Sequence, residues 1–139
     1  MSISINPYII FDGTAEKAIA FYERALGIKA EQVSRFGDMP GGQIPEEHKQ
    51  RVMHARIPFG NAALMVSDCQ VGMQVPPGSN IHCSLQIDDL ADARAKFDAL
   101  AEGGQVEMPL QEMFWGATFG SLVDPFGVQW MINCETKKA

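Results

Sequence analysis

His82 opens a run, His82-Cys83-Ser84-Leu85-Gln86-Ile87, in which polar and apolar side chains alternate. Alternate residues of a strand share a face, so His82, Ser84 and Gln86 fall together and Cys83, Leu85 and Ile87 fall opposite. Imidazole changes charge near neutral pH, which makes His82 the first candidate for a general acid or base. A hydrogen-bonded structural histidine would occupy the same place. Because His82 and Cys83 point to opposite faces, they cannot form a nucleophile–base pair. The same alternation puts Tyr8 beside Asn6, with its hydroxyl directed to the polar side, or packed with a wet tip. His54 and Arg56 also share a face; together they could hold an anion, or simply decorate an exposed sheet. Glu112 and Trp115 lie within residues 109–116 near Met108, Met113 and Phe114, a density of large side chains that suits a cavity wall, a dimer contact or plain core. Met39, Met65, Met73 and Met131 add adaptable, polarizable surface.

These residues need elements to hold them, and the chain spells out those elements twice. Asp12, Ala15, Phe21, Ala25 and Gly27 recur 76 positions later as Asp88, Ala91, Phe97, Ala101 and Gly103. Pro-Phe-Gly stands before an apolar run at Pro58-Phe59-Gly60 and again at Pro125-Phe126-Gly127. A repeat near half the chain length implies two similar modules, with any cavity at their junction. In the first module, residues 5–11 read as a strand. Ala15, Ala18, Ile19, Tyr22, Ala25 and Leu26 then form one apolar helical stripe, capped by Thr14 or Asp12 and ended by Gly27. Strands follow near 29–36, 51–58 and 61–67, with a Gly- and Pro-rich loop at 37–50.

The second module repeats the order: a strand at 81–87, a helix at 89–102 with the stripe Leu90, Ala93, Phe97, Leu100 and Ala101, and strands near 105–109, 116–123 and 128–134. Asp88 or Asp89 caps that helix and Gly103-Gly104 ends it. Module 1 therefore spans 1–68, the linker 69–80 and module 2 81–139, within one domain of α+β class built from two tandem β-α-β-β-β modules.

Composition limits what such a domain does. A net charge of −6 disfavours nucleic acid and anionic membrane as partners, because both call for clustered Lys and Arg. No apolar run approaches the ~18 residues of a membrane helix, and Met1-Ser2-Ile3-Ser4 carries no basic segment, so a cytoplasmic location is expected. Cys69, Cys83 and Cys134 are odd in number and lack C-x-x-C spacing, which fits reduced thiols packed as small apolar groups. No phosphate-binding, dinucleotide-binding or nucleophile-elbow motif is present.

The doubled β-α-β-β-β unit and the helix ending Phe21-Tyr22 through Leu26-Gly27 resemble the vicinal oxygen chelate superfamily, which includes glyoxalase I, extradiol dioxygenases and the fosfomycin- and bleomycin-resistance proteins. Asn6-Pro7-Tyr8, Phe36-Gly37-Asp38-Met39-Pro40, His54-Ala55, Gln111-Glu112, Phe114-Trp115, Phe119-Gly120, Phe126-Gly127 and Trp130-Met131-Ile132-Asn133 are similar to its PhnB/YjdN-like branch. The resemblance implies sheets curled around a shared cavity, usually in a homodimer. Some members of this branch are labelled ubiquinone-pathway methyltransferases, yet this chain has no Gly-rich turn after a first strand for S-adenosylmethionine.

Metal-using members of the superfamily hold one divalent ion with four side chains, from the first and last strand of each module. The resemblance puts one position on His82, and the 76-residue spacing puts its counterpart on Asn6. Counting from the two Pro-Phe-Gly turns gives Leu64 and Met131. Leucine cannot ligate, Asn is a weak donor, and a thioether is soft where this chemistry calls for hard oxygen. One good ligand in four does not hold the ion, so no cofactor is expected.

The resulting expectation is a metal-free cavity protein that binds a small, partly apolar molecule. His82 would be its acid/base, Tyr8 and Glu112 its helpers, and Asn6, Tyr8, His54, Leu64, Ser84, Gln86, Glu112, Trp115 and Met131 its lining. Two alternatives stay open. One is a divalent-metal lyase, isomerase or dioxygenase with His82 as a ligand; the other is a protein that sequesters a cationic drug without turnover.

Overall fold

The computed structural model describes residues 5–38, 44–69, 73, 75, 78, 81–114 and 116–135. The chain divides into two compact units, Met1–Pro76 and Pro77–Ala139. The predicted order of elements is observed in both, as two four-stranded mixed sheets with one helix each.

In the first unit the strands are β1 (Tyr8–Phe11), β2 (Glu31–Arg35), β3 (Val52–Phe59) and β4 (Ala62–Asp68), ordered β1-β4-β3-β2, with helix α1 (Ala15–Leu26) between β1 and β2. β1 runs parallel to β4, while β2–β3 and β3–β4 are antiparallel. Helix α1 buries the predicted stripe together with Phe21, against Ala55, Ile57, Leu64 and Val66 in the core. Gly27 ends the helix in the left-handed conformation at φ 71°, its N–H bonded to the Glu23 carbonyl.

Neither Thr14 nor Asp12 caps α1. The buried carboxylate of Asp68, from the far end of β4, takes that role by accepting from the Gly13 N–H at 2.8 Å and the Ala15 N–H at 3.0 Å. Its other oxygen accepts from the Val52 N–H at 3.0 Å. One side chain thus ties together the turn after β1, the start of α1 and the first residue of β3. Asp12 pairs with Arg51 at 2.8 Å instead. The predicted 37–50 loop carries short 3₁₀ turns at Phe36–Asp38 and Glu46–His48, and the Gly37 N–H bonds the Lys49 carbonyl. Met39 lies outside the described residues.

In the second unit the strands are β5 (Cys83–Gln86), β6 (Gln105–Glu112), β7 (Ala117–Val123) and β8 (Gln129–Glu135), ordered β5-β8-β7-β6, with helix α2 (Leu90–Ala101) after β5. Helix α2 packs on β6, β7 and β8 and buries Ala93, Phe97 and Leu100 beside Leu122, Trp130 and Ile132. Of the two candidate caps, Asp89 takes the role, accepting from the Asp92 N–H. Strand β6 runs to Glu112, past the predicted end. It accommodates Pro109 because the register slips between Met108 and Gln111, and an irregular edge strand tolerates a residue without an N–H.

The second Pro-Phe-Gly is organised by Asp124, a buried carboxylate that accepts from the Phe126 and Val128 N–H groups and, at 2.9 Å, from the Trp130 indole. It fixes the turn and pins the largest core side chain with the same group. Among the described residues no helix is long and apolar enough to cross a membrane.

Candidate functional site

In each unit the helix packs on one sheet face; among the described residues of that unit no helix packs on the other, here termed the open face, which gathers most of the candidate residues. In the first unit Tyr8 pairs with Met65 and Ile10 with Ser67 across β1 and β4, while Arg56 pairs with Met65 across β3 and β4. These residues share a face, because partners side by side in a sheet point the same way. The structure brings Tyr8 and His54 together: the hydroxyl lies 3.1 Å from His54 Nδ1 and the ring centroids are 5.8 Å apart. Ser34 sits opposite His54 in the ladder, and Arg56 forms an ion pair with Glu31. That pair satisfies the Arg56 charge within the sheet and leaves the Tyr8–His54 couple, beside Ser34 and Ser67, among the polar groups of this face. A phenol and an imidazole in hydrogen-bond contact can pass a proton or orient a ligand oxygen.

Asn6 is half-buried and already committed, since its side-chain carbonyl accepts from the Ala63 N–H at 2.9 Å. Leu64 requires a correction. It lies on the helix side, 3% exposed, paired with Ile57 in the core. The two Pro-Phe-Gly segments are not equivalent: Pro58 and Phe59 are the last residues of β3, with Phe59 paired to Ala62 across a tight turn, whereas Val123 pairs with Gln129 and the second segment lies wholly in the longer turn. The count from the first turn is therefore one residue short, and Met65 holds the open-face position.

In the second unit Ser84 pairs with Met131 and Gln86 with Asn133 across β5 and β8, with Ser121 and Phe119 next in β7. Three polar side chains form a directed ladder here. The Asn133 amide donates to Gln86 Oε1 at 2.9 Å, and the Gln86 amide donates to Ser84 Oγ at 3.2 Å. Met131 lies half-buried beside them. The ladder ends at a groove of about 640 Å³ lined by Gln86, Ile87, Asp88, Asp92, Asn133 and Glu135.

His82 also departs from its expected place. Strand β5 begins at Cys83, because its partner β8 begins at Gln129 and offers a ladder only from the Cys83–Trp130 pair onward. His82 thus precedes the strand, exposed, and does not extend the Ser84–Gln86 row. Glu112 closes β6, exposed, opposite Thr118. Trp115 falls outside the described residues.

The fold holds the three cysteines in their protonated form. Burial, reinforced by the Asp124 charge, pushes the Cys83 thiol up to about 11. Burial also raises Cys134, and burial together with a hydrogen bond to Asp12 raises Cys69. A thiol held protonated at neutral pH attacks poorly.

Comparison with known proteins gives this arrangement its family. The model of the glyoxalase/bleomycin resistance protein/dioxygenase superfamily matches residues 4–132. The chain belongs to that superfamily. Its relatives include Protein YjdN of Escherichia coli K12, 33% identical over 93% of each chain. Among solved structures, protein PA1353 from Pseudomonas aeruginosa is 43% identical with a TM-score of 0.86, covering 96% of this chain and 98% of that one. A Bacillus cereus PhnB protein described as a putative 3-demethylubiquinone-9 3-methyltransferase shares the fold at a TM-score of 0.77 and 24% identity, covering 95% of this chain and 99% of that one.

Superfamily membership raises the question of a metal, and the residue types at the expected positions bear on it in chemical terms. With the register corrected, the four positions hold Asn6, Met65, His82 and Met131. The Asn6 carbonyl is engaged by the backbone, and the two thioethers are soft donors. This set does not fit a hard divalent ion.

Sequence reading assigned Asp68 and Asn133 no place in the site and named Met65 only as one of several adaptable methionines. The signal for Asn133 was present in the alternation Met131-Ile132-Asn133-Cys134, which puts it beside Met131 once the strand register is known.

Proposed function

We propose that this superfamily member binds a small, partly apolar molecule on the open sheet faces without a resident metal. The observation that carries the reading is the composition of those faces: thioethers at Met65 and Met131, a Tyr8–His54 couple, and a neutral Ser84–Gln86–Asn133 ladder. Polarizable side chains with a few oriented polar groups are what a ligand of mixed polarity requires. Any proton transfer is assigned to Tyr8 and His54, which are in contact, ahead of the exposed His82. Superfamily membership supports a homodimer, which light scattering of the purified protein tests.

The test of ligand binding is a thermal-shift screen of small amphiphiles. A ligand at ~100 times its Kd adds about 2.7 kcal/mol of stability. The reading expects such a hit, weakened about tenfold or more by Met131→Ala or by Tyr8→Phe with His54→Phe. A screen without hits, or a hit that ignores substitutions on both faces, would overturn it.

A further inference from the structure

We infer that Tyr8 is a positioning residue that holds His54 in the tautomer protonated at Nε2, and that this N–H receives a neutral amide-type carbonyl carried on an apolar body; the inference rests on the proposed binding role of the first unit's open face. The Tyr8 hydroxyl lies 3.1 Å from His54 Nδ1, so one hydrogen is shared between them. A phenol gives up its hydrogen more readily than it accepts another, and a bare imidazole nitrogen is a good acceptor, so Tyr8 donates. Neutral imidazole carries a single N–H, and the bond made by one ring nitrogen decides which of the two holds it. The proton is thereby fixed on Nε2. Among the described residues Nε2 has no hydrogen-bond partner of its own, which leaves an oriented donor on this face.

The surroundings select the rest of the ligand. Arg56, the next residue of β3 on this face, is already paired with Glu31, so the two charges cancel. An anion would have to displace Glu31 from Arg56, and a cation would confront a donor N–H. A neutral acceptor does neither. Among neutral carbonyls an amide oxygen is the strongest acceptor, so it gains most from a single imidazole donor. Beside the couple, Tyr8 pairs with Met65 and shares its face with Ile10; Tyr8 is 46% and Ile10 40% exposed. A phenol ring, a thioether and a branched alkyl group side by side suit the flat apolar body of an aromatic amide.

Two measurements on the full chain test this. The first is the nitrogen NMR spectrum of the His54 ring at mildly alkaline pH, where imidazole is neutral. The expected result is a protonated Nε2 and a bare, hydrogen-bonded Nδ1, with the Nδ1 resonance moving to its unbonded position in Tyr8→Phe. A proton on Nδ1, or an Nδ1 resonance that ignores Tyr8→Phe, would overturn the inference. The second is calorimetric titration with N,N-dimethylbenzamide, against benzoate and benzylamine. Saturable amide binding is expected, about tenfold or more tighter than either charged analogue, and weakened at least about tenfold by His54→Phe. His54→Gln supplies a side-chain amide N–H in place of Nε2–H and should restore affinity to within about threefold. Tyr8→Phe should weaken the amide about twofold, through the fraction of imidazole that shifts its proton to Nδ1, and should have no effect in the His54→Gln background. Absence of amide binding, equal affinity for benzoate or benzylamine, or a His54→Gln variant as weak as His54→Phe would overturn the inference. A screened amphiphile that still binds in that event leaves the general binding role standing, so the two failures are separable.

Discussion

Replacing Asp68 should cost more stability than any exposed charge of this protein. The carboxylate is 3% exposed and accepts three backbone N–H groups, from Gly13, Ala15 and Val52, at 2.8–3.0 Å. Asp68→Ala leaves those donors without their acceptor. Each buried unsatisfied group costs about 1–3 kcal/mol, and a negative charge at a helix N-terminus adds ~0.3–1 kcal/mol. Water entering the vacated space offsets part of this, so the expected loss is about 3–6 kcal/mol, a large fraction of the ~5–15 kcal/mol typical of a domain. Asp68→Asn keeps one oxygen for Gly13 and Ala15 but turns an N–H₂ group toward the Val52 N–H, so it should lose about 2–4 kcal/mol. The assay is urea unfolding followed by circular dichroism, with the exposed Glu107→Gln variant as a control within ~0.5 kcal/mol of wild type. A loss below about 1 kcal/mol for Asp68→Ala would refute the clamp.

Three further outcomes follow from the geometry. A methyl group on Gly104 would sit 2.1 Å from the Val123 carbonyl oxygen, so Gly104→Ala should lose about 3 kcal/mol or more, whereas Gly60→Ala meets no neighbour and loses only ~1–2 kcal/mol from its left-handed φ of 58°; thermal unfolding of both variants checks the contrast. Asp124→Ala should loosen Trp130 and cost about 2–4 kcal/mol, read by near-UV dichroism in a Trp115→Phe background. Cys83 is raised to about 11 in the fold from 9.0, so the folded state holds its proton more tightly. That stability is fully present below pH 9 and is lost as pH rises through about 11. Cys83→Ala should flatten this alkaline decline in chemical denaturation.

Periodicity alone placed the elements well, because the stripes on α1 and α2 and the alternation in the strands are local signals. It misplaced what depends on pairing. Leu64 was assigned by counting from a turn and His82 by alternation and resemblance, but the place each residue takes is fixed by the hairpin length before β4 and by where β8 begins. The helix cap failed for a related reason: Thr14 is the local candidate, while Asp68 reaches the same N–H groups from the end of β4. The Tyr8–His54 contact spans 46 residues and has no signature in sequence.

The most direct test is a metal analysis of the native protein, purified without chelator and dialysed, by plasma mass spectrometry. Its donor set of Asn6, Met65, His82 and Met131 predicts well under one divalent ion per chain, unchanged in His82→Ala. About one ion per chain, lost in that variant, would contradict it.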